Sequence, residues 1–151
     1  MDDATAITAL IHAYAELLDA GDLDGVAALF EDATWGSPGR GEPLRGAAPV
    51  RRGYDGVILH EDGTPATKHV ISNVTIDVDE ANRTATARSY FTVLQALPDF
   101  PLQPIIAGRY HDRFGRVEGR WRFTERVIVP DLLGDLSRHL RDPGEATRAQ
   151  G

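Results

Sequence analysis

Apolar residues at Ile7, Leu10, Ile11, Tyr14, Leu17 and Leu18 recur every three or four positions, the spacing of a helix buried along one side. The run "DAGD" interrupts this pattern. Gly21 suits the left-handed position after a helix end, and Asp22 can cap a second helix carrying Leu23, Val26 and Phe30 on one side. "GSPGRGEPLRG" has the composition of a loop, and "AAPVRRGYDGVILH" holds a short third helix.

After Thr67 the period changes to two. In "KHVISNVTIDV", residues 68–78, His69 shares its parity with Ile71, Asn73, Thr75 and Asp77, while Val70, Val74, Ile76 and Val78 form an opposite face that is apolar apart from Ser72. Three further strands are predicted in "TATARSYFTVL", "PIIAGRYHDRFGRV" and "RWRFTERVIV". "DEANR" and "VEGR" are short joints between antiparallel neighbours, whereas "LPDFPLQP" reads as a longer proline-rich crossing. The tail is expected to form a brief helix with Leu133, Leu136 and Leu140 in register, followed by a polar end that is disordered. Helices first and antiparallel strands afterwards predict an α+β domain, a curved sheet wrapped around about three N-terminal helices and enclosing a pocket. A chain of 151 residues suits one core. Residues 1–151 therefore read as a single domain, with its body over about 5–130 and a tail over 131–151.

Charge narrows the partners. A net charge of -7 with scattered arginines opposes binding to nucleic acid or to anionic lipid. The absence of cysteine removes thiol nucleophiles, thiolate metal sites and disulfides. The N-terminus is acidic and no apolar run reaches the ~18 residues needed to span a bilayer, so a cytoplasmic location is expected. "HED" at 60–62 and "YHD" at 110–112 lack the spacing of a zinc motif, and His12, His60 and His111 read as surface or loop residues. With no phosphate loop, nucleophile elbow or dinucleotide fingerprint, the expected site uses neither metal nor cofactor.

Several residues could carry chemistry. Asp19 stands at a helix C-terminus, where the partial charge of the backbone carbonyls disfavours a carboxylate by ~0.3–1 kcal/mol. It is either a functional residue, a help to the next helix or a solvated side chain. His69 either faces water or lines a cavity. Tyr14, Trp35, Tyr54, Tyr90, Phe91 and Tyr110 either line an aromatic cavity for a flat ligand or fill the core. Asn73 either orients a ligand carbonyl or bonds to the sheet.

"YAELLDAGDLDGVAALFEDATW", "TKHVISNVTI", "ATARSYFTVLQ" and "GRYHDRFGRVEGRWRFTERVIV" together resemble the SnoaL-like branch of the nuclear transport factor 2-like superfamily over roughly residues 5–130. That superfamily includes dehydratases, isomerases, polyketide cyclases, a dehydrochlorinase and noncatalytic proteins. The resemblance implies that Asp19 and His69 form a hydrogen-bonded pair in which Asp19 orients the ring and His69 removes a proton from substrate. It implies that Arg126 stabilises a departing anion or an enolate, against a plain salt bridge to Glu125 or Asp112. The second histidine and two tyrosines of the scytalone dehydratase pattern fall near Gln95, Leu18 and Ser37, which argues against that particular dehydration. The resulting expectation is a cofactor-independent lyase, isomerase or cyclase acting on a small, largely apolar, aromatic or polyketide-like molecule. The alternative is a noncatalytic ligand-binding or assembly domain. A homodimer through the outer sheet face is expected, with the leucine-bearing tail and His139 near the pocket mouth.

Overall fold

The computed structural model describes residues 1–144 and 146. The polar end expected to be disordered lies largely outside those residues. Three helices come first in the chain: α1 (Asp3–Asp19), α2 (Leu23–Ala28) and α3 (Ala47–Gly53). Two short strands, β1 (Thr34–Gly36) and β2 (Leu44–Arg45), lie between the second and third helices. Four long strands follow: β3 (Thr67–Asp79), β4 (Thr84–Leu97), β5 (Phe100–Val117) and β6 (Arg120–Leu133). They form one sheet in the order β2-β1-β6-β5-β4-β3, antiparallel except where β1 lies parallel to β6.

The joint between α1 and α2 follows from local chemistry. Gly21 adopts φ 78° and its N–H reaches Leu18 O, while Asp22 N–H reaches Leu17 O, which closes the helix end in a Schellman arrangement. A side chain at Gly21 would also place its Cβ 2.2 Å from Gly63 O. Asp22 then caps α2 by accepting from Gly25 N at 2.8 Å. Ile7, Ile11, Tyr14 and Leu18 of α1 pack with Val26, Phe30, Phe91, Tyr110, Phe114 and Phe123 to form the core between helices and sheet.

In three places the strands depart from what the pattern predicts. The apolar stripe of β3 does not stay on one face. Asn73 adopts φ 53°, and the two residues Asn73 and Val74 stand against Ser89 alone, a bulge that reverses the phase of the strand. His69 and Ile71 face inward before it and Ile76 and Val78 after it, while Val70 and Val74 remain exposed on the outer face. The proline-rich stretch is no crossing: Leu97 pairs with Phe100 across a tight turn, and β5 runs on through Pro101 and Pro104. Those prolines are tolerated because β6 pairs with β5 only from Ile106 onward, so a missing N–H there breaks no ladder bond to β6. The tail has no helix from Leu133. That residue ends β6, and Leu136 begins a single turn closed by bonds from His139 N and Leu140 N to Leu136 O.

Gly134 lets the chain leave β6 closely, since an added Cβ would lie 2.8 Å from Pro104 O. The tail then folds back over the concave face. Leu140 bridges to Val57, Ile58 N donates to His139 O at 2.8 Å, and Arg141 N donates to Gly56 O at 2.9 Å.

Candidate active site

An apolar cavity of about 200 Å³ opens between α1, α3, the inner sheet face and the tail. Tyr14, Leu18, Trp35, Tyr54, His69, Phe91, Val93, Ile106, Tyr110, Ile128, His139 and Leu140 line it. Apolar cavities of ~150 Å³ are large enough for benzene, so a one- or two-ring ligand suits this one.

Asp19 ends α1 beside the start of β3, the edge strand of the sheet. Its carboxylate accepts from three donors: Thr67 Oγ1 at 2.9 Å, His69 N at 2.8 Å and His69 Nδ1 at 2.6 Å. Burial by itself pushes the Asp19 carboxyl up, but the bonds from His69 and Thr67 outweigh it and hold the group below the usual carboxylate range. The carboxylate therefore needs a hydrogen on Nδ1 of His69, so that in the neutral tautomer Nε2 is the bare nitrogen of a side chain only 5% exposed.

The aromatic wall is layered. Phe91 stacks on Tyr110 at 4.5 Å, and Tyr14 meets Tyr110 edge-on at 5.8 Å. The Tyr14 and Tyr54 hydroxyls bond to one another, and Trp35 Nε1 donates to the Tyr54 hydroxyl at 3.0 Å. Burial drives the Tyr54 and Tyr110 phenols well above their ordinary value, so both remain neutral. Ser37 also lines the cavity and its hydroxyl donates to Ile128 O.

Three expected residues stand elsewhere. Tyr90 is 51% exposed on the outer face, because alternation points only one of the neighbours Tyr90 and Phe91 inward. Asn73 sits in the bulge on that same outer side, near Tyr90 and Arg109, where it meets no cavity ligand. Arg126 is fully buried yet does not line the cavity. It pairs across β5 and β6 with Asp112 through Nε to Oδ1 at 2.8 Å and Nη2 to Oδ2 at 2.9 Å. Its guanidinium lies 3.7 Å over the Tyr110 ring and 4.3 Å over the Tyr14 ring. It is a charge held behind the aromatic wall by Asp112.

Other residues at the site have weak sequence signals. Gln95 is buried and its Nε2 donates to Pro65 O and Arg138 O, both at 3.0 Å, tying the tail to β4. Its inward parity on β4 with Phe91 and Val93 was the available clue. Thr67 gave none. Among the described residues no group of three or more histidine, cysteine or acidic side chains is placed to hold a metal ion, and no helix is long and apolar enough to cross a membrane.

Comparison with known proteins places the geometry in context. The family described as SnoaL-like domain matches residues 1–127. An NTF2-like protein with a cystatin-like fold from Novosphingobium aromaticivorans is 26% identical, with 83% of this chain and 80% of that chain covered at a TM-score of 0.70. A candidate aromatic ring hydroxylase from the same organism is 28% identical over 90% of this chain and 95% of that one, TM-score 0.67. A candidate scytalone dehydratase, again from that organism, is 22% identical over 88% and 87%, TM-score 0.69. The names of these neighbours differ while the fold is shared, so the likeness carries architecture rather than one reaction.

Proposed function

The chain belongs to the SnoaL-like domain family, and from that membership we propose that it is a cofactor-independent lyase, isomerase or cyclase whose general base is His69. The observation that carries this reading is the 2.6 Å contact between His69 Nδ1 and Asp19 Oδ1 beside an apolar, aromatic-lined cavity. Nε2 of His69 takes a proton from a carbon next to a carbonyl; the electron pair of the broken C–H bond forms a carbon–carbon double bond, and the carbonyl π pair moves onto the oxygen. The new imidazolium is stabilised by Asp19. The enolate then expels a neighbouring leaving group, recovers the proton at another carbon, or closes a ring, and Nε2 gives its proton up again. Tyr14, Trp35, Tyr54, Phe91 and Tyr110 hold a small flat substrate, while the Asp112 pairing withdraws Arg126 from direct contact with it.

A noncatalytic binder is the second reading, favoured by the other bonds of Asp19. Its contacts to Thr67 and to the His69 main chain serve architecture whether or not a proton moves. One experiment separates the two. With 2-indanone, a flat ketone with acidic α hydrogens, the wild type in D₂O should introduce deuterium at the α carbon faster than buffer, and His69→Ala should lose ~10² to 10⁴ of that rate. Exchange at the buffer rate in both proteins supports the binder.

We also propose that residues 1–151 act as one domain in the cytoplasm and that two copies pair through the outer sheet face. Val70, Tyr90 and Leu132 are 46%, 51% and 69% exposed there. Light scattering at micromolar concentration tests the pairing, and a monomer removes it.

A further inference from the structure

The cavity holds a second histidine, brought by the tail rather than by the sheet. His139 is only 6% exposed and lines the same cavity as His69. The main chain around it is fixed on both sides. His139 N bonds to Leu136 O, His139 O accepts from Ile58 N, and the preceding carbonyl, Arg138 O, accepts from Gln95 Nε2 and His60 Nε2. The ring therefore occupies a built position. Its Nδ1 is buried without a hydrogen-bond partner.

That orphan nitrogen determines the proton. A buried N–H left unbonded is rarer and costlier than a buried acceptor left unbonded, so Nδ1 is the bare nitrogen and the hydrogen of the neutral ring resides on Nε2. His69 has the opposite arrangement, with hydrogen on Nδ1 for Asp19 and a bare Nε2. Two histidines of one cavity thus present opposite functions, an acceptor from β3 and a donor from the tail.

The geometry points to His139 as the residue that donates a hydrogen bond to the substrate carbonyl oxygen, so that the cavity selects flat ketones over hydrocarbons of the same shape and stabilises the enolate oxygen as His69 removes the α proton. This deepens the reading of His69 as a base and rests on it for the chemical step, but the oxygen contact exists without turnover. No group enters or leaves His139. Its Nε2–H stays on the ring while the oxygen gains charge, and a neutral donor suits this because it adds no second cation beside His69. Burial supports the neutral state: it lowers the His139 pKa to about 4, a direction reinforced by the nearness of His69 and His60 and opposed by Asp19.

Binding measures this separately from catalysis. Affinities of 2-indanone and of indane, its hydrocarbon counterpart, are determined by NMR titration for the wild type, His139→Phe and His139→Gln. The wild type should prefer the ketone, and His139→Phe should weaken ketone binding about three- to tenfold with indane within twofold, as expected for one lost hydrogen bond. His139→Gln, which keeps an N–H donor, should recover most of the difference. The infrared carbonyl stretch of bound 2-indanone should lie lower in the wild type than in His139→Phe. An equal preference in wild type and His139→Phe, or an unchanged stretch, overturns the proposal. If His139→Phe fails to fold, the ¹⁵N resonances of wild-type His139 decide: Nε2 must be the protonated nitrogen and must move with 2-indanone but not with indane, and a protonated Nδ1 or an unmoved Nε2 overturns it. Exchange of α protons at only the buffer rate in the wild type, with its ketone preference intact, counts against His69 as base and leaves this assignment standing.

Discussion

Oδ1 of Asp19, the last residue of α1, lies 2.6 Å from Nδ1 of His69, the third residue of β3, and Oδ2 of the same carboxylate accepts the His69 main-chain N–H. One side chain thus sets both the position and the tautomer of the ring. In Asp19→Asn only one of the two atoms can accept, and the amide NH₂ must face a donor. Stability should fall by about 1–3 kcal/mol. Exchange of 2-indanone α hydrogens should fall ~10²-fold or more while indane affinity changes little, and deuterium incorporation followed by NMR checks both.

The buried pair of Arg126 and Asp112 predicts a non-additive pattern. Both side chains have no exposure, so Arg126→Leu alone strands the Asp112 charge and should cost about 3–5 kcal/mol in urea unfolding. Replacing both by leucine should recover most of that loss. A direct substrate role for Arg126 predicts instead that the double variant folds well and loses ketone binding.

His139 makes stability depend on acid. In the unfolded chain a histidine titrates near 6.5, while in the folded protein this one titrates at about 4. Between those values the unfolded state holds the extra proton, so stability is full above the upper one and falls as pH drops toward the lower. The slope from this group is of order 1 kcal/mol per pH unit, and His139→Phe should flatten it in urea titrations between pH 4 and 6.5.

The β3 bulge can be tested at Asn73, whose φ of 53° is tolerated by asparagine and costly for a β-branched residue. Asn73→Val should destabilise by about 1–2 kcal/mol and Asn73→Gly should not. Thermal melts distinguish these outcomes, and equal midpoints contradict the strained position.

What could be read in the sequence follows the range of the forces involved. The Gly21 helix end and the Asp22 cap depend on neighbours a few residues away, and the structure has both where expected. The phase of β3 was misread because a bulge is a mismatch between two strands: Asn73 and Val74 oppose Ser89, which neither strand reveals alone. Tyr90 and Phe91 are neighbours on one strand and face opposite ways, so only Phe91 reaches the cavity. Arg126 was legible as a charge on a strand, but its burial depends on the register that sets it opposite Asp112. The pairing of Asp19 with His69 came from resemblance rather than periodicity, since a contact across fifty residues leaves no local trace. The tail leucines showed that it packs, though β6 extends through Leu133 and removes the expected helix.

The wall that carries His139 is also the last part of the site to be synthesised. Chains leave the ribosome N-terminus first, so a nascent chain that has emerged only to Leu133 already contains every strand of the sheet together with Asp19 and His69. It lacks His139 and Leu140, which line the cavity. During that interval Tyr54, Phe91 and Tyr110 border an open apolar trough rather than a cavity, a surface suited to chaperones. The two histidines meet only when translation has passed residue 139, so the binding function is acquired after every strand of the scaffold has been made.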